Sequence, residues 1–111
     1  MDKDVIKLLE DIIEAIHTVE IFIGEPKLFS NFQKNLMLQH AVERNIEIMG
    51  EAMSKILKID PDINITNARK VVVARNFIIH NYRAVEETEI WSIVIKHLPI
   101  LKQEVEVLLE M

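Results

Sequence analysis

Cysteine is absent from the 111 residues, glycine occurs twice, proline three times, and aromatic residues make up only 5%. Without cysteine there are neither disulfides nor thiolate metal sites. The scarcity of backbone breakers, in a chain rich in Ile, Leu, Val, Glu and Lys, favours helices. No apolar run approaches the roughly 18–20 residues of a membrane span, and the opening Met1-Asp2-Lys3-Asp4 is acidic and periodic rather than signal-like. A soluble, cytoplasmic chain without membrane contact is therefore expected. Excess positive charge is also missing: the net charge of −5 speaks against a general nucleic-acid-binding surface.

What the chain does have is aliphatic bulk, with hydrophobic residues at 50%. A chain of this size forms one domain, residues 1–111, around one core. Apolar surface should be left over, which predicts a homodimer. The charge is unevenly spread. Between Asp62 and Glu86 there is no acidic residue, while Arg69, Lys70, Arg75 and Arg83 are all basic. One basic segment in an acidic shell suits a local phosphate site better than a broad surface tracking a nucleic-acid backbone.

The apolar spacing predicts an up-and-down bundle of four to five helices. Val5, Leu8, Leu9, Ile12, Ile13, Ile16, Val19 and Ile23 mark one buried face of a first helix over 2–23, stopped by Gly24 and Pro26. Ser30 and Gln33 have capping-box spacing, and from Phe32 through Leu36, Met37, Ile46, Met49 and Met53 to Leu57 the rhythm predicts one long second helix ending at Lys58. Gly50 inside it should cost about 1 kcal/mol relative to alanine, which points to a close helix crossing. Asp60-Pro61-Asp62 is a connector, and Thr66 is the expected N-cap of a third helix reaching Asn81. A fourth opens at Glu86, with Thr88 as the alternative start, and should break or kink at Pro99, where a last helix runs to Glu110.

The third helix carries the chemistry. Arg75-Asn76-Phe77-Ile78-Ile79-His80-Asn81-Tyr82 places a guanidinium, an amide, an imidazole and a phenol in an apolar setting that includes Val71, Val72 and Val73. Buried without partners, such groups cost on the order of 1–3 kcal/mol or more each, so they should converge on one another, on a second subunit or on a ligand. On a helix, Arg75 and His80 are about 140° apart, whereas Asn76 and His80 share a face. A cleft between two copies would bring both groups together. Arginine binds phosphate bidentately and stays charged, and histidine moves protons near neutral pH. The pair suffices for metal-free cleavage of RNA through the adjacent 2′-hydroxyl, with no cofactor. A structural role for the same residues, and a solvated face for the basic tract, are the plain alternatives.

The pattern Arg75-x-x-x-x-His80-x-Tyr82, with Asn76 after the arginine, resembles the signature of HEPN-domain proteins of the HepT-like toxin group. The run Ala41-Val42-Glu43-Arg44-Asn45-Ile46-Glu47-Ile48-Met49-Gly50-Glu51-Ala52 also resembles that family's second helix, and the tail from Val85 through Trp91 to Leu101 is similar to the family as well. The resemblance implies a homodimeric ribonuclease toxin in which Arg75 stabilises the scissile phosphate, His80 is the general acid/base and Asn76 orients one of them. Arg69, Lys70 and Arg83 would supply further phosphate or RNA contacts. It also implies a minimal nucleotidyltransferase antitoxin that transfers AMP to Tyr82. This chain departs from the family by carrying Asn35, His40 and Glu86 where aspartate is frequent, which bears on packing and capping rather than on the site. A non-catalytic nucleotide-binding subunit beside a nucleotidyltransferase is the alternative function, and a purely structural helical dimer a third. Glu14-x-x-His17 has the spacing of half a di-iron motif, and Glu43, Glu47 and Glu51 line one helical face. Both read as exposed polar faces, and His40 and His97 as surface or helix-end residues.

Overall fold

The computed structural model describes residues 1–80 and 86–111, and every described element is helical. Helix α1 spans Lys3–Ile23, α2 Phe29–Lys34, α3 Leu36–Ile59, α4 Ala68–His80 and α5 Glu87–Ser92; a π-helical turn, Ile93–His97, then joins α5 to α6, Leu98–Leu109. The architecture is the expected up-and-down bundle. Helix α3 lies at its centre, packed against α1 on one side and α4 on another, while α6 lies on α1.

The α1 boundaries follow local chemistry. Asp2 Oδ1 accepts from the backbone N–H groups of Asp4 and Val5 at 2.7 and 3.2 Å. At the other end Gly24, with φ of 66°, donates its N–H to the Glu20 carbonyl, a conformation that suits glycine. Of the face read from spacing, Val5, Leu9, Ile12, Ile13, Ile16 and Val19 are buried, and Leu8 and Ile23 pack at its edge.

The long second helix is in fact two. Asn35 is extended, with φ of −114° and ψ of 92°, and separates α2 from α3. The capping box at Ser30 and Gln33 is not formed: α2 starts after Leu28 with no side-chain cap. The cap sits at the break instead, where Asn35 Oδ1 accepts from the Leu38 N–H at 3.0 Å. Gln39 Nε2 donates to the Phe32 and Gln33 carbonyls, both at 3.0 Å, closing the corner. Because the chain restarts there, Leu36 and Met37, expected on the buried face, are 64% and 80% exposed. Helix α2 is pinned by Phe29 and Phe32, whose rings lie 6.0 and 5.3 Å from that of Trp91.

Thr66 does not cap α4 with its side chain. Its hydroxyl donates to Glu104 Oε2 at 2.6 Å and its N–H to the same carboxylate at 3.0 Å, tying the entry of α4 to α6. Pro99 does not break the chain either. The turn before it widens, so that the Leu98 N–H donates to the Ile93 carbonyl five residues back, and α6 continues. A proline that lacks an N–H and crowds the preceding turn is accommodated by this extra residue. Lys102 Nζ, 3.1 Å from Glu20 Oε2, fastens α6 to α1.

Candidate active site

Helix α4 has a weakly apolar profile, and the physical reason is visible in its burial. Only Ala68 and Ile78 are buried; Val71, Val72, Ala74, Arg75 and Phe77 are half-buried, and Val73 and Ile79 are exposed. The polar residues are correspondingly less enclosed than the sequence suggested. Asn76 and His80 face solvent, as do Arg69 and Lys70. Among the described residues the penalty for burial falls on one atom, Arg75 Nε, which is shielded from solvent and finds no hydrogen-bond partner there.

Arg75 is held at two points. Its stem lies over Gly50 of α3, close enough that a Cβ on residue 50 would stand 2.2 Å from Arg75 Cβ. This is the close crossing expected from a glycine in mid-helix. At the tip, Arg75 Nη1 donates to Asn76 Oδ1 at 2.9 Å. Asn76 therefore orients the arginine and, one turn before His80, lies on the same side as the imidazole.

Within one chain the guanidinium and imidazole are brought onto the same helix but not onto one face, since five helical residues separate them by about 140° and 7.5 Å of rise. Arg69 and Lys70 sit in the first turn of α4, away from His80 in the last. Lys70 also edges an apolar groove of about 300 Å³ between α4 and the π turn with α6, lined by Val71, Ala74, Phe77, Ile93 and Leu101. Tyr82 and Arg83, the predicted modification site and third basic contact, lie outside the described residues.

The remaining candidates separate from this site. His40 and His97 are exposed, as expected, and His97 closes the π turn. Glu14 and Glu51 are exposed, but Glu43 and Glu47 are half-buried, so the acidic face is only partly solvated. Burial raises the Glu43 carboxyl above its ordinary value, Glu47 adds to the rise, and His40 opposes it. Among the described residues no three His, Asp or Glu side chains converge as metal ligands, and no helix is long and apolar enough to cross a membrane.

The family model described as ribonuclease HepT-like matches residues 12–108. The chain belongs to the HepT-like ribonuclease family. Among relatives of this HepT-like chain, a Methanocaldococcus jannaschii protein named "Putative RNase MJ1380" is 34% identical over 107 residues, covering 95% of this chain and 96% of that one. The Thermococcus cleftensis "Probable ribonuclease HepT" is 36% identical over 102 residues, covering 88% and 89%. A longer M. jannaschii protein, "Gamma-glutamylcyclotransferase and putative RNase MJ0434", is 32% identical; 95% of this chain matches 47% of it. No solved structure gives a significant match. Membership of the HepT-like family makes the chain an RNA nuclease.

Proposed function

We propose that this HepT-like ribonuclease is a metal-independent endonuclease and the toxin of a cytoplasmic toxin–antitoxin pair, with Arg75 and His80 as its catalytic residues. The observation that carries the reading is the Arg75 guanidinium fixed by Asn76 on the same helix as an exposed imidazole. In the proposed step the RNA 2′-hydroxyl attacks phosphorus, the P–O2′ bond forms, and the P–O5′ bond breaks. One His80 imidazole takes the 2′-hydroxyl proton and a protonated one supplies a proton to the departing 5′-oxygen, for which general acid–base catalysis contributes about 10²–10⁴-fold. Arg75 stabilises the charge that builds on the phosphoryl oxygens. DNA, lacking the hydroxyl, is left intact.

Two imidazoles, and a guanidinium that one helix turns away from its own imidazole, call for a second copy of the chain. The exposed apolar side chains Val73 and Ile79 of α4 favour a homodimer whose two α4 helices share the cleft. Arg69, Lys70 and Arg83 contribute to holding RNA. AMP transfer to Tyr82 by a minimal nucleotidyltransferase antitoxin would set an anionic nucleotide beside Arg75 and switch the enzyme off.

The test is cleavage of RNA by the purified protein in EDTA. His80→Ala and Arg75→Ala should each abolish cleavage while keeping the helical fold, and undiminished cleavage by both variants would remove the proposal.

A further inference from the structure

Gly50 sits in the middle of α3 in ordinary helical geometry, so nothing in its own backbone requires glycine, and intrinsic preference alone would put alanine there. What a side chain would meet is α4. A methyl group on residue 50 would lie 2.2 Å from Arg75 Cβ, 3.0 Å from Arg75 Cγ and 2.9 Å from the Val71 carbonyl oxygen. Val71 and Arg75 are one turn apart, so α3 is seated in the notch between them. Neither the Cβ nor the carbonyl can swing aside, because the backbone of α4 fixes both. Ordinary contact begins near 3.4 Å, so α4 would have to retreat by about 1.2 Å at Arg75. The arginine has little slack to compensate: its Nε is already enclosed without a partner among the described residues, and Nη1 is tied to Asn76.

We propose that Gly50 is a positioning residue for the RNA-cleaving site: its missing side chain sets how deeply α4 lies on α3, and thereby where the Arg75 guanidinium meets the scissile phosphate. The inference rests on the reading of Arg75 as the phosphate-binding group. His80, about 7.5 Å further along the same rigid helix, is carried with it. A displacement of 1 Å at a reacting centre can cost about 100-fold in rate.

Gly50→Ala should therefore lower kcat/KM for a defined RNA oligonucleotide about 100-fold, mainly in kcat, while circular dichroism below the melting temperature stays that of the wild type. In a proton–nitrogen spectrum the Arg75 Nε–H signal, assigned by its loss in Arg75→Lys, should shift. Leu9→Ala, which empties part of the core on α1, should lower the melting temperature yet preserve both the rate and that signal when assayed fully folded. Wild-type kcat/KM in Gly50→Ala, or an equal loss of rate in folded Leu9→Ala, would overturn the inference while leaving Arg75 in its role. Full cleavage by Arg75→Ala would instead remove the underlying reading, and the inference with it. If Gly50→Ala does not fold, Gly50→Ala/Arg75→Gly decides. The new methyl then keeps only its 2.9 Å contact with the Val71 carbonyl oxygen, so the double variant should fold where Gly50→Ala alone does not. A double variant that also fails to fold, while Arg75→Gly alone folds, would overturn the proposal.

Discussion

Replacing Glu104 with alanine should loosen the start of α4 from the far end of the bundle. The carboxylate accepts two hydrogen bonds from one residue, the Thr66 hydroxyl at 2.6 Å and the Thr66 N–H at 3.0 Å. Hydrogen bonds to a charged group contribute about 1.5–3 kcal/mol. Here the N–H and hydroxyl can turn to water when the acceptor is lost, since Thr66 is exposed. The lower bound, about 1.5 kcal/mol for the pair, is therefore appropriate. With an unfolding entropy of about 2.1 cal/mol/K per residue, that corresponds to a fall in Tm of about 6 °C for a chain of this length. The assay is thermal unfolding followed at the helical band, at one fixed protein concentration so that association does not move the midpoint. Thr66→Val removes the hydroxyl and keeps the N–H. The cycle of Glu104→Ala, Thr66→Val and the double variant should then give a coupling of about 1 kcal/mol. An unchanged Tm in Glu104→Ala, or strict additivity in the cycle, would refute the tether.

Asn76→Asp should preserve the contact with Arg75 but turn it into an ion pair that competes with phosphate; KM for RNA should rise about tenfold, read from steady-state cleavage at constant ionic strength. Asn35→Ala should lower stability by about 1 kcal/mol through loss of the α3 cap, whereas Asn35→Asp should match or exceed the wild type in denaturant titration, because a carboxylate also suits a helix N-terminus. Glu43→Gln tests the raised carboxyl. A group whose folded value lies above its unfolded one gives stability that is complete below the unfolded value, near the ordinary 4.5, and is lost as pH rises through the folded value. Glutamine removes that loss, so its melting temperature should exceed the wild type's at pH 7 and equal it at pH 3; a constant difference across the range would contradict the assignment.

Periodicity made most of the bundle legible before any coordinates, because a buried face repeated every three and four residues leaves little choice of partner for helices such as α1. The break at Asn35 was hidden because apolar residues on both sides keep a helical rhythm across it. Leu36 and Met37 continue the spacing, yet the chain turns and leaves them in water. Glycine in mid-helix announced a close approach at Gly50 but could not say to what, since the pairing with Arg75 joins positions 25 apart in the chain. Adjacent residues on a helix ordinarily point apart, so the bond between Arg75 and Asn76 was likewise unreadable from spacing. Thr66 shows the opposite failure. It lies one residue before the cap, because α4 starts at Ala68 and Asn67 accepts its first helical bonds, and a distant carboxylate takes the Thr66 hydroxyl.

The widened turn at Ile93–His97 works as a register device. The wide turn absorbs one residue more than a regular turn holds, so everything downstream faces as it would in a regular helix one residue shorter. Leu98, Leu101 and Val105 thus stay inward, in line with Ile90 and Val94, although a surplus residue precedes them. Deleting one residue between 93 and 97 would close the turn into ordinary helix without turning this stripe, and the cost would fall on Pro99, whose ring would then crowd the turn before it.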